Sequence, residues 1–161
     1  MAQNRIYTVA FTAVAATAAV DFFELTPADD KPIEVIGLFL GQSTEFPEQT
    51  TSQAEMLAYT VVRGFTSSGS GGTATTPRPL NRSDSASGFT AETMNTTGAT
   101  TGTTHTLHAD TLNVFTGEKL WLPEGCEWEC SQADTTLVVR LGAAPADSIT
   151  WSGTIYVREQ G

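Results

Sequence analysis

The chain has 161 residues, a formal charge of −10 and only 16% charged residues, a length that suits one domain burying about 69% of its extended surface without a disulfide or metal staple. Its acidity (pI about 4.4) opposes contact with a phosphate backbone, and no apolar run reaches the roughly 18 residues of a membrane-spanning helix, so nucleic acid and membrane are not expected partners. About one residue in six is Thr, a β-branched side chain that suits a half-exposed pleated surface and can bury against a neighbour without stranding a charge.

Along the chain the apolar pattern has period two, or comes in short runs cut by turn residues. Tyr7, Val9 and Phe11 alternate as in a strand. The apolar stretch Ile6–Val20 after Arg5 is superficially like a signal peptide, but Thr8, Thr12 and Thr17 interrupt it. Ala13–Ala19 is Ala-rich and also compatible with a short helix. Residues 1–20 are therefore read as an N-terminal arm plus a first strand. Asp21–Leu25 reads as a second strand, closed by the turn cluster Pro27–Pro32. Ile33–Gly41 and Glu55–Gly64 follow, dense in Val, Ile, Leu and aromatic residues.

Phe65–Gly88 is dominated by Ser, Gly, Thr and Pro and reads as one long loop, either functional or mobile. Weaker strand signals resume at Phe89–Met94 and Thr103–His108. They strengthen at Thr111–Phe115, Lys119–Leu122, Cys126–Cys130, Thr135–Leu141 and Ile149–Arg158. Eight to ten strands without a long helix predict an all-β, antiparallel two-sheet sandwich over residues 1–161, jelly-roll-like in its connection lengths. Its core strands are expected to be Ile33–Gly41, Glu55–Arg63, Thr135–Leu141 and Ile149–Arg158.

No catalytic or cofactor motif emerges. Gly69–Gly72 lacks the Lys-Ser/Thr of a phosphate-binding loop and reads as a flexible segment. His105 and His108 are three apart, so on a regular strand they face opposite ways and make a poor metal pair. Cys126 and Cys130 read as two free, largely buried thiols, because an extended chain would hold their Cα atoms about 13 Å apart. Asp29/Asp30 and Glu127/Glu129 read as solvated acids rather than an acid–base pair. No G-x-S-x-G elbow occurs. The sequons at Asn81 and Asn95 matter only in a glycosylating pathway. Neither an enzyme nor a cofactor or metal is expected.

Several segments resemble one kind of protein: Phe22-Phe23-Glu24-Leu25-Thr26-Pro27-Ala28-Asp29-Asp30-Lys31-Pro32, Ile36–Ser43, Arg63-Gly64, Ser68–Gly72 and Thr76–Leu80. Trp121–Glu124, Leu137–Leu141, Ala144–Asp147 and Ser148–Tyr156 belong to the same pattern. They resemble small proteins from the structural gene regions of tailed bacteriophages and prophages. That resemblance implies a virion component, assembled in the host cytoplasm and placed on the head as a decoration (cement) protein. It also implies a homo-oligomer, most simply a trimer, bridging subunits of the major capsid protein.

Within the long loop, Pro77 and Pro79 stiffen a stretch that carries Arg78, Leu80 and, just beyond, Arg82. These five residues are the expected capsid or subunit contact, with Arg78 and Arg82 pairing to acidic groups, and a loop without a partner is the equal alternative. The competing function is a receptor- or carbohydrate-binding module of a head fibre or tail, for which Trp121, Trp128 and Trp151 are the available aromatic platforms.

Overall fold

Alternation places Tyr7, Val9 and Phe11 inward along the first strand of the computed structural model, which describes residues 5–44 and 55–161. Residues 1–4 of the expected N-terminal arm lie outside the described residues. In chain order the strands are β1 (Arg5–Ala16), β2 (Asp21–Thr26), β3 (Ile33–Gln42), β4 (Met56–Arg63), β5 (Thr73–Ala74), β6 (Arg78–Pro79), β7 (Thr90–Asn95), β8 (His105–Asn113), β9 (Glu118–Trp121), β10 (Trp128–Cys130), β11 (Leu137–Leu141) and β12 (Ile149–Glu159). A single 3-10 turn, Gln132–Asp134, is the helical element among the described residues.

The strands form two antiparallel sheets that pack as a sandwich. The first has the order β10-β3-β12-β1-β6, and the second β5-β7-β2-β11-β4-β8. Strands β9 and β10 lie end to end along one edge of β3, against Gly37–Leu40 and Ile33–Val35 respectively. The expected all-β sandwich is therefore observed, with a connectivity consistent with a jelly roll.

The core between the sheets is aromatic at its centre. Phe22 meets Trp151 edge-on at 5.3 Å, Phe11 lies 5.3 Å from Phe23, and Tyr7 meets Phe89 edge-on at 5.7 Å. Fully burying each such side chain contributes about 2–3 kcal/mol. Two strands not expected among the core are central to it. Strand β2 has five buried residues of six, and β1 sits next to β12 along nearly its whole length. The Ala-rich stretch is strand as far as Ala16, interrupted by a bulge at Thr12 and Ala13, where Ala13 takes φ 52°. Tertiary pairing with β12 overrides the helix propensity of alanine here.

The outer face of the second sheet carries a second, smaller apolar cluster of Val62, Phe65, Ala99 and Val138. It is roofed by the chain before β5 and the chain between β7 and β8, which bridge at Ser67–Thr100 and Ser70–Thr97. The roof corrects the expectation of a flexible Gly-Ser arm. A Cβ at Gly69 would lie 2.6 Å from the Thr97 carbonyl oxygen, and one at Gly72 would lie 2.3 Å from that of Thr93. Glycine serves close packing of backbone on backbone at these positions.

Candidate functional site

Among the described residues three carboxylates are buried, and each holds backbone from a connecting segment. Glu24 on β2 accepts from Ser68 Oγ (2.6 Å), the Gly69 N–H (2.9 Å) and Asn95 Nδ2 (2.9 Å). Glu159 on β12 accepts from the Gly88 and Phe89 N–H groups at 2.6 and 3.1 Å. Asp21 accepts from the Ala99 N–H at 2.8 Å and from Arg140 Nε and Nη2 at 2.5 and 2.9 Å. The same contact holds the Arg140 guanidinium above its ordinary pKa, and its carbon sits 4.8 Å over the Phe65 ring. Glu24 and Glu159 thus clamp the two ends of Phe65–Gly88. Glu24 lies inside β2, and Asp21 and Glu159 stand at strand ends; an acid within or at the end of an apolar strand is the sequence signal that it is buried against hydrogen-bond donors.

Between those clamps, β6 adds to the edge of the first sheet. Pro79 pairs with Tyr7 and Arg78 with Thr8, and the Leu80 N–H donates to the Ile6 carbonyl at 2.9 Å. Pro77 is buried and Pro79 half-buried, whereas Arg78, Arg82 and Leu80 are exposed, Leu80 by 58%. Arg78, Pro79 and Leu80 therefore lie on one lateral edge, Pro77 is buried beside it and Arg82 follows it in the chain. Arg82 sits in a turn closed by Asp84 N–H to the Asn81 carbonyl. The other four arginines engage partners: Arg5 with Ser85, Arg63 with Asp134, Arg140 with Asp21, and Arg158 with Glu34 and Glu127. Arg78 and Arg82 make no ion pair among the described residues.

The same edge continues along β1. Beyond Thr8 the side of β1 away from β12 has no strand partner among the described residues. Ala10 and Thr12–Ala15 are exposed there and carry no charge.

Three further groups complete the chemistry of the surface. On the outer face of the first sheet, Trp121, Phe39 and Tyr156 cluster, with ring centroids at 5.1 Å (Phe39–Trp121), 4.8 Å (Trp121–Tyr156) and 5.7 Å (Phe39–Tyr156). Trp121 is 57% exposed. Trp128 and Trp151 are buried in the core and drop out as platforms.

At the open corner between the sheets, the Tyr59 hydroxyl lies 3.1 Å from Glu118 Oε2 and 3.2 Å from His108 Nε2. A carboxylate only accepts, so Tyr59 donates to Glu118, which assigns the Nε2 proton to His108 as donor to Tyr59. Burial, reinforced by Glu118, raises the Tyr59 pKa well above its ordinary value. The phenol stays protonated at neutral pH and acts as a strut.

His105 and His108 share a face, contrary to the expectation from their odd spacing. A bulge at Leu107 lets His108 oppose Val61 while His105 opposes Arg63. No cluster of three or more His, Cys, Asp or Glu among the described residues could hold a metal.

The two cysteines are both free, Cys130 buried and Cys126 exposed, so only one matches the expected buried pair. Native protein should therefore titrate one thiol with an aromatic disulfide reagent, and two in denaturant. Two reactive thiols in the native state would contradict the burial of Cys130. Burial pushes the Cys130 thiol from 9.0 up to about 12. The unfolded state then ionises first as pH rises, so the stability from this thiol is complete below about pH 9 and declines between there and about pH 12. Urea midpoints should fall across that range, and less steeply in Cys130→Ala. An identical decline in the variant would assign the loss to other groups.

No protein-family model, no curated protein and no solved structure matches this chain.

Proposed function

We propose that this chain is a non-enzymatic structural subunit that binds the outer surface of a tailed-phage head as a decoration (cement) protein. It works as a homo-oligomer, most simply a trimer, bridging neighbouring subunits of the major capsid protein. The observation that supports this reading is the lateral edge of the first sheet. It joins an uncharged strand segment, Ala10 and Thr12–Ala15, to Arg78, Arg82 and the exposed Leu80; among the described residues the segment has no strand partner on its side away from β12, and the two arginines have no ion pair.

Monomeric proteins usually blunt such an edge with charge or cover it. An exposed strand edge offers main-chain hydrogen bonds to an added strand, and flanking arginines offer bidentate contacts to carboxylates. Each contact is modest, and an oligomer that engages several shell subunits at once multiplies them.

The test is co-sedimentation with undecorated capsids of the phage or prophage that encodes the chain. Arg78→Glu and Arg82→Glu should each lower occupancy, with wild-type occupancy falling as salt rises. Their thermal transitions should match wild type, since both residues are exposed. Sedimentation equilibrium of the free protein should show an oligomer. Unchanged occupancy in both variants, or a monomer at high concentration with no capsid binding, would overturn the proposal.

A further inference from the structure

The outer face of the first sheet carries a second feature, centred on Trp121 and away from the lateral edge. Trp121 lies opposite Gly37 on β3, and a Cβ at Gly37 would fall 2.6 Å from Trp121 Cε3 and 2.7 Å from its Cζ3. The indole therefore lies flat across the sheet, in the space that a side chain at Gly37 would occupy. Phe39 meets it edge-on at 71° and Tyr156 leans against it at 46°. One ring face is seated against the sheet, while 57% of the side chain remains exposed.

Beside this platform runs a furrow of about 280 Å³ across β9, β3, β12 and β1. Phe39 is common to both. Thr12, Ser152 and Thr154 line the furrow with hydroxyls, and Lys119 and Glu118 supply one charge of each sign. Gly41 keeps it open, because a Cβ there would meet nothing within 4 Å.

The size of the apolar patch decides what kind of ligand it suits. The exposed part of one indole is on the order of 100–150 Å², whereas a stable protein–protein contact needs about 800 Å² per partner. Phe39 and Tyr156 are half-buried and add little. A second copy of the chain or a protein partner would find one exposed ring amid hydroxyls. The furrow is near the roughly 300 Å³ at which small-ligand sites begin. Its chemistry combines one flat apolar surface with three hydroxyls and a pair of opposite charges that leave no net charge in the furrow. A pyranose ring has the matching pattern, with apolar C–H faces and a rim of hydroxyls. The chain's charge of −10 disfavours an anionic ligand.

We infer that the outer face of the first sheet is a binding site for a neutral oligosaccharide, stacked on Trp121 and hydrogen-bonded in the furrow through Thr12, Lys119, Ser152 and Thr154. The site goes beyond the capsid-binding reading and does not rest on it: the furrow shares Ala10 and Thr12 with the β1 edge, whereas Trp121, Phe39, Gly41 and Lys119 lie away from that edge.

The test is a glycan array carrying neutral, sialylated and sulfated glycans, followed by NMR titration of the best neutral hit. Binding should perturb the Trp121 indole N–H and the amides of Phe39, Gly41 and Thr154. Trp121→Ala should weaken binding at least ~10-fold, and Gly41→Leu, which fills the furrow from a position with open space, should do the same while the fold is preserved. Both variants should keep wild-type capsid occupancy, so failure here is separable from failure at the lateral edge. Absence of any neutral hit, binding confined to anionic glycans, or equal binding by Trp121→Ala would each overturn the inference. Self-association abolished by Trp121→Ala, without glycan binding, would assign the face to a second copy and overturn it as well.

Discussion

Asp21→Ala should lower the unfolding free energy by about 3–5 kcal/mol, the range found when one partner of a buried ion pair is removed. Asp21 is 1% exposed and satisfies three donors, two from Arg140 and one from the Ala99 N–H. Its removal leaves the Arg140 guanidinium over Phe65 with the Ala99 carbonyl in place of its carboxylate partner, and leaves the Ala99 amide without its acceptor. With a urea slope of about 1–3 kcal/mol/M the midpoint should move by one molar or more. Arg140→Met should also destabilise, because the Asp21 carboxylate then keeps only one donor. The double variant Asp21→Val/Arg140→Met should recover much of the loss, since it buries no lone charge. A loss below about 1 kcal/mol in Asp21→Ala would show that the pair is solvated and carries no structural weight.

Glu24→Ala should have an effect of similar size, about 3 kcal/mol, and a distinct signature. Three donors lose their acceptor at once, and an unsatisfied buried donor costs about 1–3 kcal/mol. Two of the three, Ser68 Oγ and the Gly69 N–H, belong to the roof over the second sheet. Hydrogen exchange should therefore accelerate first at Gly69 and Ser70, and at Thr97 and Thr100, which exchange backbone bonds with Ser70 and Ser67. Glu24→Gln should not rescue fully, because its amide nitrogen would face a donor. Replacing Ser67–Leu80 with a short Gly-Ser linker should be at least as damaging, since it removes β5, β6 and two donors to Glu24 together. An unchanged thermal transition in that replacement would mean the segment is loosely attached, and the buried carboxylate would then need another explanation.

The fold class was legible because strand periodicity is a local property. Tyr7, Val9 and Phe11, or Trp151, Ile155 and Val157, announce an inward face by alternation alone, and turn residues mark where each run stops. Partnership was not legible. The central position of β2 follows from pairing with β7 on one side and β11 on the other, both far away in sequence. The bulge at Leu107 reversed the inference drawn from the spacing of His105 and His108, because one extra residue shifts which face follows.

The same distinction governs the surface. Trp121, Trp128 and Trp151 are equivalent as letters in strand-like runs. A bulge at Ile36 on β3 puts Gly37 and Val35 on opposite faces, so Trp121 opposite Gly37 is exposed and Trp128 opposite Val35 is buried, while a central place in β12 buries the third. The stretch Phe65–Gly88 has the composition of a mobile linker, yet Glu24 and Glu159 fasten it from two different sheets. Composition and periodicity by themselves determined an acidic, all-β sandwich without a catalytic motif, and they singled out Arg78 and Arg82 as cations in an acidic chain. Tertiary structure alone decided that the Gly-rich run is a packed roof, that Glu24 and Asp21 anchor it while Glu159 holds the far end of Phe65–Gly88, and which edge and which indole face solvent. The physical reason is that burial and hydrogen-bond satisfaction depend on groups brought together from distant parts of the chain, whereas strand alternation needs only nearest neighbours.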